Sequence, residues 1–257
     1  MTDIGITDSY FEPDGSVLTA PRRPDPQVDS GFGSRSAFDI VFPIRTEGAD
    51  APVFCIHPII GLSWCYLGFE EFTANPLYGI QTPSPNELPD TLDELAQSYI
   101  DEIEALVPDG PYHLLGGPRS SKNTHAMAVR LRAQGKQLAS LVMLDSHAVQ
   151  PPIGDQLATL ITESGVVDPQ EAERLVSAAR HTHELANRHH PGVYDGDVLF
   201  VTADHEERLG LSTWHPYLRG ELSHYSVPYT HWEMTSAAAL RAVGPLAARY
   251  IGAHRSE

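Results

Sequence analysis

Four short segments of this chain carry the residue types from which acyl-transfer chemistry is built: His57-Pro58-Ile59-Ile60-Gly61, Gly116-Gly117-Pro118-Arg119-Ser120-Ser121, Asp145-Ser146-His147 and Tyr229-Thr230-His231-Trp232-Glu233-Met234. A histidine oriented by a carboxylate is a general base near neutral pH. Asp145 and His231 are the candidates for that pair, and Asp204 is a rival for the acid. Ser120 and Ser121 offer hydroxyls that a base can activate. Serine ahead of a helix is equally a common N-cap, which is the structural alternative for both. Arg119 and Lys122 add positive charge beside them; they suit a carboxylate or a phosphate, or else face solvent. Lys122 is one of two lysines against 15 arginines. Trp64, Tyr66 and Trp232 are candidate walls of an acyl cavity, with core packing as the competing explanation.

These segments need elements to hold them. Short apolar runs at Val53–Ile56, Leu77–Ile80, His113–Leu115, Leu138–Leu144, Val198–Val201 and Tyr225–Val227 read as buried strands. Thr91-Leu92-Asp93-Glu94 is a capping box that opens a helix to about Leu106. Further helices are predicted over Ser121–Ala133, near Asp168–His189 and over Ser236–Ile251. Strands alternating with helices of this length imply an α/β fold with a mostly parallel sheet. In such sheets the chemistry sits just beyond the carboxyl ends of the strands, where all four segments fall. The stretch 151–190 interrupts the alternation and reads as an inserted helical lid over that edge. Residues 1–44, with five prolines and clusters of Gly, Ser and Asp, read as a leader or linker ahead of one domain over 45–257.

Composition limits the function classes. Seventeen basic against 34 acidic residues among 257 give a formal charge of −17, the wrong sign for nucleic acid or an anionic membrane. Two cysteines, Cys55 and Cys65, exclude a disulfide scaffold and fit a reducing compartment. With no apolar run near the ~20 residues of a membrane span and no signal peptide, a cytoplasmic location is expected. Thirteen histidines invite a metal, but His183-Glu184-Leu185-Ala186-Asn187 lacks the second histidine of H-E-x-x-H, and no metal is expected. Cys65 is a minor candidate nucleophile.

From Pro52 to about Ile251 the chain resembles a type I thioesterase domain of nonribosomal peptide synthetases, within the α/β-hydrolase superfamily. The resemblance rests on Phe54-Cys55-Ile56-His57-Pro58, Gly61-Leu62-Ser63-Trp64-Cys65-Tyr66, Gly110-Pro111-Tyr112-His113-Leu114-Leu115-Gly116, His125-Ala126-Met127-Ala128-Val129-Arg130-Leu131, Leu144-Asp145-Ser146 and Tyr194-Asp195-Gly196-Asp197-Val198. It implies an enzyme of natural-product (antibiotic) biosynthesis. Such a domain takes an acyl or peptidyl chain from the phosphopantetheine arm of a carrier protein and releases it by hydrolysis or cyclisation. The arm belongs to the partner, so no resident cofactor is implied; its phosphate is a candidate ligand for Arg119 and Lys122. The leader holds no carrier-type G-G-x-S motif, which suits a stand-alone protein or an excised terminal domain.

Residue by residue, the resemblance assigns the acid to Asp145, the base to His231 and the first oxyanion segment to His57-Pro58 onward. It places Pro118 where the family's G-x-S-x-G-G has its serine, and Ser120 and Ser121 at its last two glycines. Proline holds φ near −65° and has no N–H, so the strained elbow and the amide of Arg119 cannot keep their usual places. Ile60 replaces a glycine and narrows the approach to the Ile59 amide. Serine catalysis at residue 118 is thereby excluded. Three alternatives stay open: cyclisation, transfer or proton transfer assisted by His231 and Asp145 without an acyl-enzyme; a displaced nucleophile at Ser120 or Ser121; or an inactive binding or scaffold module.

Overall fold

The computed structural model describes residues 10–11, 17–18, 39–118, 120–149, 158–159, 161, 167–204 and 209–254. Two strands, β1 (Tyr10–Phe11) and β2 (Val17–Leu18), pair antiparallel near the start. The body is a seven-stranded sheet of β3 (Val41–Arg45), β4 (Val53–Ile56), β5 (Leu77–Ile80), β6 (Tyr112–Gly116), β7 (Leu138–Leu144), β8 (Val198–Ala203) and β9 (Leu222–Val227). Its order is β3-β5-β4-β6-β7-β8-β9, with only β3 antiparallel to its neighbour. This is the mostly parallel, helix-flanked sheet expected of an α/β-hydrolase fold.

Both faces of the central strands are buried, as a parallel sheet requires. Phe54, Ile56, Leu114, Leu141, Met143 and Phe200 point to one core, shared with α1 (Leu92–Leu106) and α2 (Ser121–Ala133). Their alternates Val53, Cys55, Leu115, Val142, Leu144, Leu199 and Val201 point to the other. That second core is closed by a 3-10 segment, Trp64–Glu71, and by α5 (Ala237–Ala253). The capping box at α1 is reciprocal: Thr91 Oγ1 accepts from the Glu94 amide at 3.2 Å, and Glu94 Oε2 accepts from the Thr91 amide at 3.1 Å.

The strand order reverses at β4, which has β5 on one side and β6 on the other. The segments leaving β4 and β6 are therefore neighbours at a topological switch point, the place where open α/β sheets bind ligands. Helix α3 (Pro169–Arg188), capped by Asp168 Oδ1 accepting from the Glu171 amide, lies over this edge. Its Ala172, Leu175 and Ala179 pack on Phe42, Leu62 and Trp64, with Ile59 and Ile60 at the margin. Of the lid expected over 151–190, residues 151–157, 160 and 162–166 lie outside the described residues.

The domain starts earlier than composition suggested. Residues 41–44, assigned to the leader, belong to the edge strand β3, where Val41 pairs with Ile80 and Phe42 with Gly79. Pro43 misled that reading. Proline is excluded from central strands but tolerated at a sheet edge, and the register shifts between Pro43 and Arg45. Strand β9 also begins three residues before the apolar Tyr225–Val227 run, because its outer side is exposed and its residues are mixed.

Candidate active site

Strand β7 ends where Asp145 turns away with φ 36°, the only positive φ at a described non-glycine residue. Aspartate tolerates this conformation better than most side chains. The turn is held from several directions. The Asp145 amide donates to Val201 O at 2.7 Å, and Asp145 Oδ1 accepts from the Ala203 amide at 3.0 Å. Ser146 is buried and its hydroxyl accepts from Trp214 Nε1 at 2.9 Å, anchoring the next residue to α4 (Leu209–Trp214). The second carboxylate oxygen is left for the histidine.

His231 opens a 3-10 turn after β9 that is fastened by Glu233, whose Oε2 accepts from the Thr230 amide at 2.7 Å. Its Nδ1 lies 2.8 Å from Asp145 Oδ2. A carboxylate only accepts, so Nδ1 carries a proton, and in the neutral ring Nε2 is then the acceptor. That Nε2 is buried without a hydrogen-bond partner among the described residues, in a residue only 4% exposed. An oriented, unpartnered imidazole nitrogen backed by a carboxylate is a general base waiting for a proton donor. The rival Asp204 is exposed and accepts from Ser226 Oγ at 3.1 Å instead.

The turn from β6 into α2 is built differently from a strained elbow. None of Gly117, Pro118 and Ser120 has a positive φ, and Arg119 lies outside the described residues. Ser120 Oγ and Ser121 Oγ both donate to Gly117 O at 3.1 Å, and both residues are buried. Neither hydroxyl serves as the N-cap expected from sequence: Ser120, at the cap position, has φ −106°, ψ −4° and makes no capping bond. Neither is hydrogen-bonded to His231 Nε2. The Cβ that Gly117 lacks would lie 2.4 Å from Tyr66 Oη, so this carbonyl-bearing residue has to be glycine.

The segment after β4 is held by its own hydrogen bonds. His57 Nδ1 donates to Pro58 O at 2.7 Å, which leaves Nε2 to accept from Tyr99 Oη at 2.9 Å. Burial lowers the His57 pKa to about 4, so it stays neutral and structural. The turn Pro58–Gly61 closes through the Gly61 amide donating to Pro58 O at 2.9 Å, with Gly61 at φ 85°. Ile59 and Ile60 form its tip, half-buried beneath α3.

Comparisons with known proteins identify what this chain is similar to. Residues 51–168 match the family described as "Thioesterase domain". Over 259 residues the chain is 28% identical to a dimodular nonribosomal peptide synthase of Bacillus subtilis, covering 84% of this chain and 11% of that one. It is 31% identical over 267 residues to a probable non-canonical nonribosomal peptide synthetase of Salinispora arenicola, covering 86% and 3%. It carries a thioesterase domain of the nonribosomal-peptide-synthetase type. The fold is that of solved thioesterase domains. A NocB thioesterase domain in covalent complex with a fluorophosphonate nocardicin G analog superposes with TM-score 0.67 at 22% identity, over 84% of this chain and 99% of that one. SrfTE, whose structure concerns cyclization of the lipopeptide antibiotic surfactin, gives 0.67 at 18%, over 85% and 98%. The chain thus spans a small fraction of the curated synthetases it matches.

The structure places the other candidate residues of this thioesterase domain as follows. Tyr66 is fully buried and donates to Ile56 O at 3.1 Å, supporting the ends of β4 and β6 from within the core instead of lining a cavity. Trp64 packs beneath α3. Trp232 is 47% exposed at the rim, its ring edge-on to His231 at 5.6 Å between centroids. Lys122 is neither solvent-facing nor free for an anion: it is buried and donates to Ala186 O at 2.6 Å and His189 O at 3.4 Å. Burial pushes the Cys65 thiol up to about 12, so it is no thiolate. Asn187 Nδ2 donates to His183 Nε2 at 2.9 Å, and no metal-binding cluster of His, Cys, Asp or Glu occurs among the described residues. Nor is any described helix long and apolar enough to cross a membrane. Sequence reading missed Tyr99 and Trp214 and quoted His147 beside Asp145 without a role of its own. Tyr99 was detectable as a polar-tipped residue in the apolar stripe of α1, and such a buried hydroxyl needs a partner. The His147 ring lies 6.2 Å from that of His231.

Proposed function

We propose that this domain acts on an acyl or peptidyl thioester held on the phosphopantetheine arm of a carrier protein, in nonribosomal peptide or hybrid polyketide biosynthesis. Pro118 stands at the nucleophile position of the family, and no acyl-enzyme forms there. His231 instead activates a nucleophile belonging to the substrate, an amine or hydroxyl of the same chain or of a second molecule. Its Nε2 takes the proton as the nucleophile attacks the thioester carbonyl. The C–S bond then breaks, and the imidazolium returns the proton to the departing pantetheine thiolate. Asp145 holds the tautomer and stabilises the imidazolium. Positioning both reactants in one site supplies the rest of the acceleration.

The observation that carries this reading is the buried, unpartnered Nε2 of His231 with Nδ1 committed to Asp145. The alternative nucleophiles Ser120 and Ser121 are disfavoured because both hydroxyls donate to Gly117 O and neither meets the base. The test uses an acyl N-acetylcysteamine thioester with a tethered amine, monitored by product formation and intact mass. Cyclic product is expected without a covalent adduct, and His231→Ala lowers its rate by about 10²–10⁴-fold. An adduct on Ser120 or Ser121 overturns the reading in favour of a displaced nucleophile. Product formation equal in the wild type and the variant overturns it in favour of a binding module.

A further inference from the structure

We propose that Lys122 is a positioning residue that fastens the covering helix α3 to the turn carrying Pro118, Ser120 and Ser121. The inference is independent of the reaction proposed above. Lys122 stands at the start of α2, four residues after Pro118, and is 4% exposed. Its Nζ donates to Ala186 O at 2.6 Å and to His189 O at 3.4 Å. Ala186 lies in the last turn of α3, where carbonyls run out of intrahelical donors, and His189 is the cap residue just beyond. An ammonium there satisfies those oxygens and meets the negative end of the helix dipole. Burial lowers the Lys122 pKa, which marks the expense of placing a cation here without a carboxylate partner.

The same end of α3 is gripped by α1 as well. His189 Nδ1 lies 3.4 Å from Asp93 Oδ2 in the first turn of α1, and one helical stretch earlier His181 Nε2 donates to Pro89 O at 3.0 Å. Asp93 also faces Arg130 of α2 at 3.8 Å, and His190 follows His189. The carboxy-terminal half of α3 is thus held by side chains of α1 and α2 and by a backbone carbonyl of the loop before α1. Lys122 makes its grip from the helix that begins at the β6–α2 turn. Its ties keep α3 in place, with Ala172, Leu175 and Ala179 packed on Leu62 and Trp64 above the switch-point edge of the sheet.

The experiment is segment-resolved amide hydrogen exchange on the full chain, comparing the wild type with Lys122→Met and Lys122→Gln. Methionine keeps most of the stem volume and removes the donor; glutamine keeps a neutral donor. Loss of a charge-assisted hydrogen bond is expected to raise exchange over residues 180–190 by about tenfold to a hundredfold in Lys122→Met. Lys122→Gln should show a smaller rise, and amides of β4, β6 and β7 should keep wild-type protection in both. Exchange over 180–190 that stays within a factor of two of the wild type in a folded variant overturns the proposal. So does a rise spread evenly over the sheet and α3, because that identifies Lys122 as a general stability residue. If Lys122→Met does not fold, the Lys122→Gln comparison decides by the same two criteria.

Discussion

Replacing Asp145 by asparagine separates the orienting role of the acid from its charge. The two carboxylate oxygens have fixed partners: Oδ2 accepts from His231 Nδ1 at 2.8 Å and Oδ1 from the Ala203 amide at 3.0 Å. Asparagine offers one acceptor and one NH2 group for these two donors. If its oxygen turned to His231, the NH2 would face the Ala203 N–H and leave a buried amide unpaired, at about 1–3 kcal/mol. If its oxygen keeps Ala203, the NH2 faces Nδ1, and the imidazole meets it by moving its proton to Nε2. The second arrangement keeps the Ala203 amide paired and moves the unmatched N–H to Nε2, where a bound substrate can meet it, so it prevails. Nε2 then becomes a donor and ceases to be a base. The imidazolium also loses a contacting carboxylate, an attraction of about 4 kcal/mol at 4 Å and an effective dielectric of ~20. Turnover of the tethered-amine thioester should fall by about 10³–10⁴-fold, with stability within about 1 kcal/mol of the wild type. Nitrogen-15 NMR of labelled histidine reads the tautomer directly, without reference to any substrate. A His231 that stays protonated at Nδ1 in Asp145→Asn, with turnover kept within tenfold, refutes the tautomer argument.

Three other outcomes follow from local structure. Burial lowers the pKa of each of His57, His113 and His125 to about 4, against an ordinary 6.5. The unfolded chain therefore binds more protons between these values, and stability is full above pH 6.5 and lost as pH falls towards 4. The slope reaches about 4 kcal/mol per pH unit if all three take part; urea midpoints that do not move between pH 6.5 and 5 would contradict it. Gly61→Ala places a Cβ at φ 85° and 2.4 Å from Thr82 Cγ2, so a loss of about 2 kcal/mol or more is expected by urea titration, and a loss near zero would show the turn to be pliable. Pro118→Ser alone should remain unlabelled by a fluorophosphonate probe, because Ser120 and Ser121 still hold Gly117 O in the relaxed turn. Adding Ser120→Gly and Ser121→Gly should permit labelling, and labelling of the single variant would sink this account.

The elements around the site were readable because their signals are local. Thr91 and Glu94 cap α1 reciprocally, Ser121–Ala133 forms a helix and Leu138–Leu144 a strand, all within the bounds their patterns imply. Asp145 and His231 were readable too, since each lies just past a strand end. What escaped depends on contacts distant in sequence. Asp145 sits closer to His231 than the exposed Asp204 because Ala203 and Val201 of β8 pull its turn inward, and no local pattern encodes that. Tyr66 reads as an aromatic near the site, yet its hydroxyl finds Ile56 O inside the core. Lys122 reads as a surface cation because buried lysines are rare, and its partners come from 64 and 67 residues away.

The run from Ser120 to His125 reveals how the site differs from a serine elbow. Six consecutive polar residues, Ser120, Ser121, Lys122, Asn123, Thr124 and His125, are all buried. Most of their polar groups are engaged: the two serines on Gly117 O, Lys122 on α3, Thr124 Oγ1 on Ser120 O and His125 Nε2 on Tyr217 O. A segment that must present a nucleophile keeps a small, strained turn and leaves one hydroxyl uncommitted. This one does the reverse, spending its hydroxyls on carbonyls of its own turn, its ammonium on α3 and an imidazole on Tyr217 O. Such bonds favour one arrangement of the turn and oppose the swing that would bring a serine to His231. The base on the opposite side is left buried and unpaired. If His231 is the base, as proposed, the nucleophile has to come from the substrate or from water instead of the β6–α2 turn, and the tethered-amine thioester distinguishes the two by cyclic against hydrolysed product.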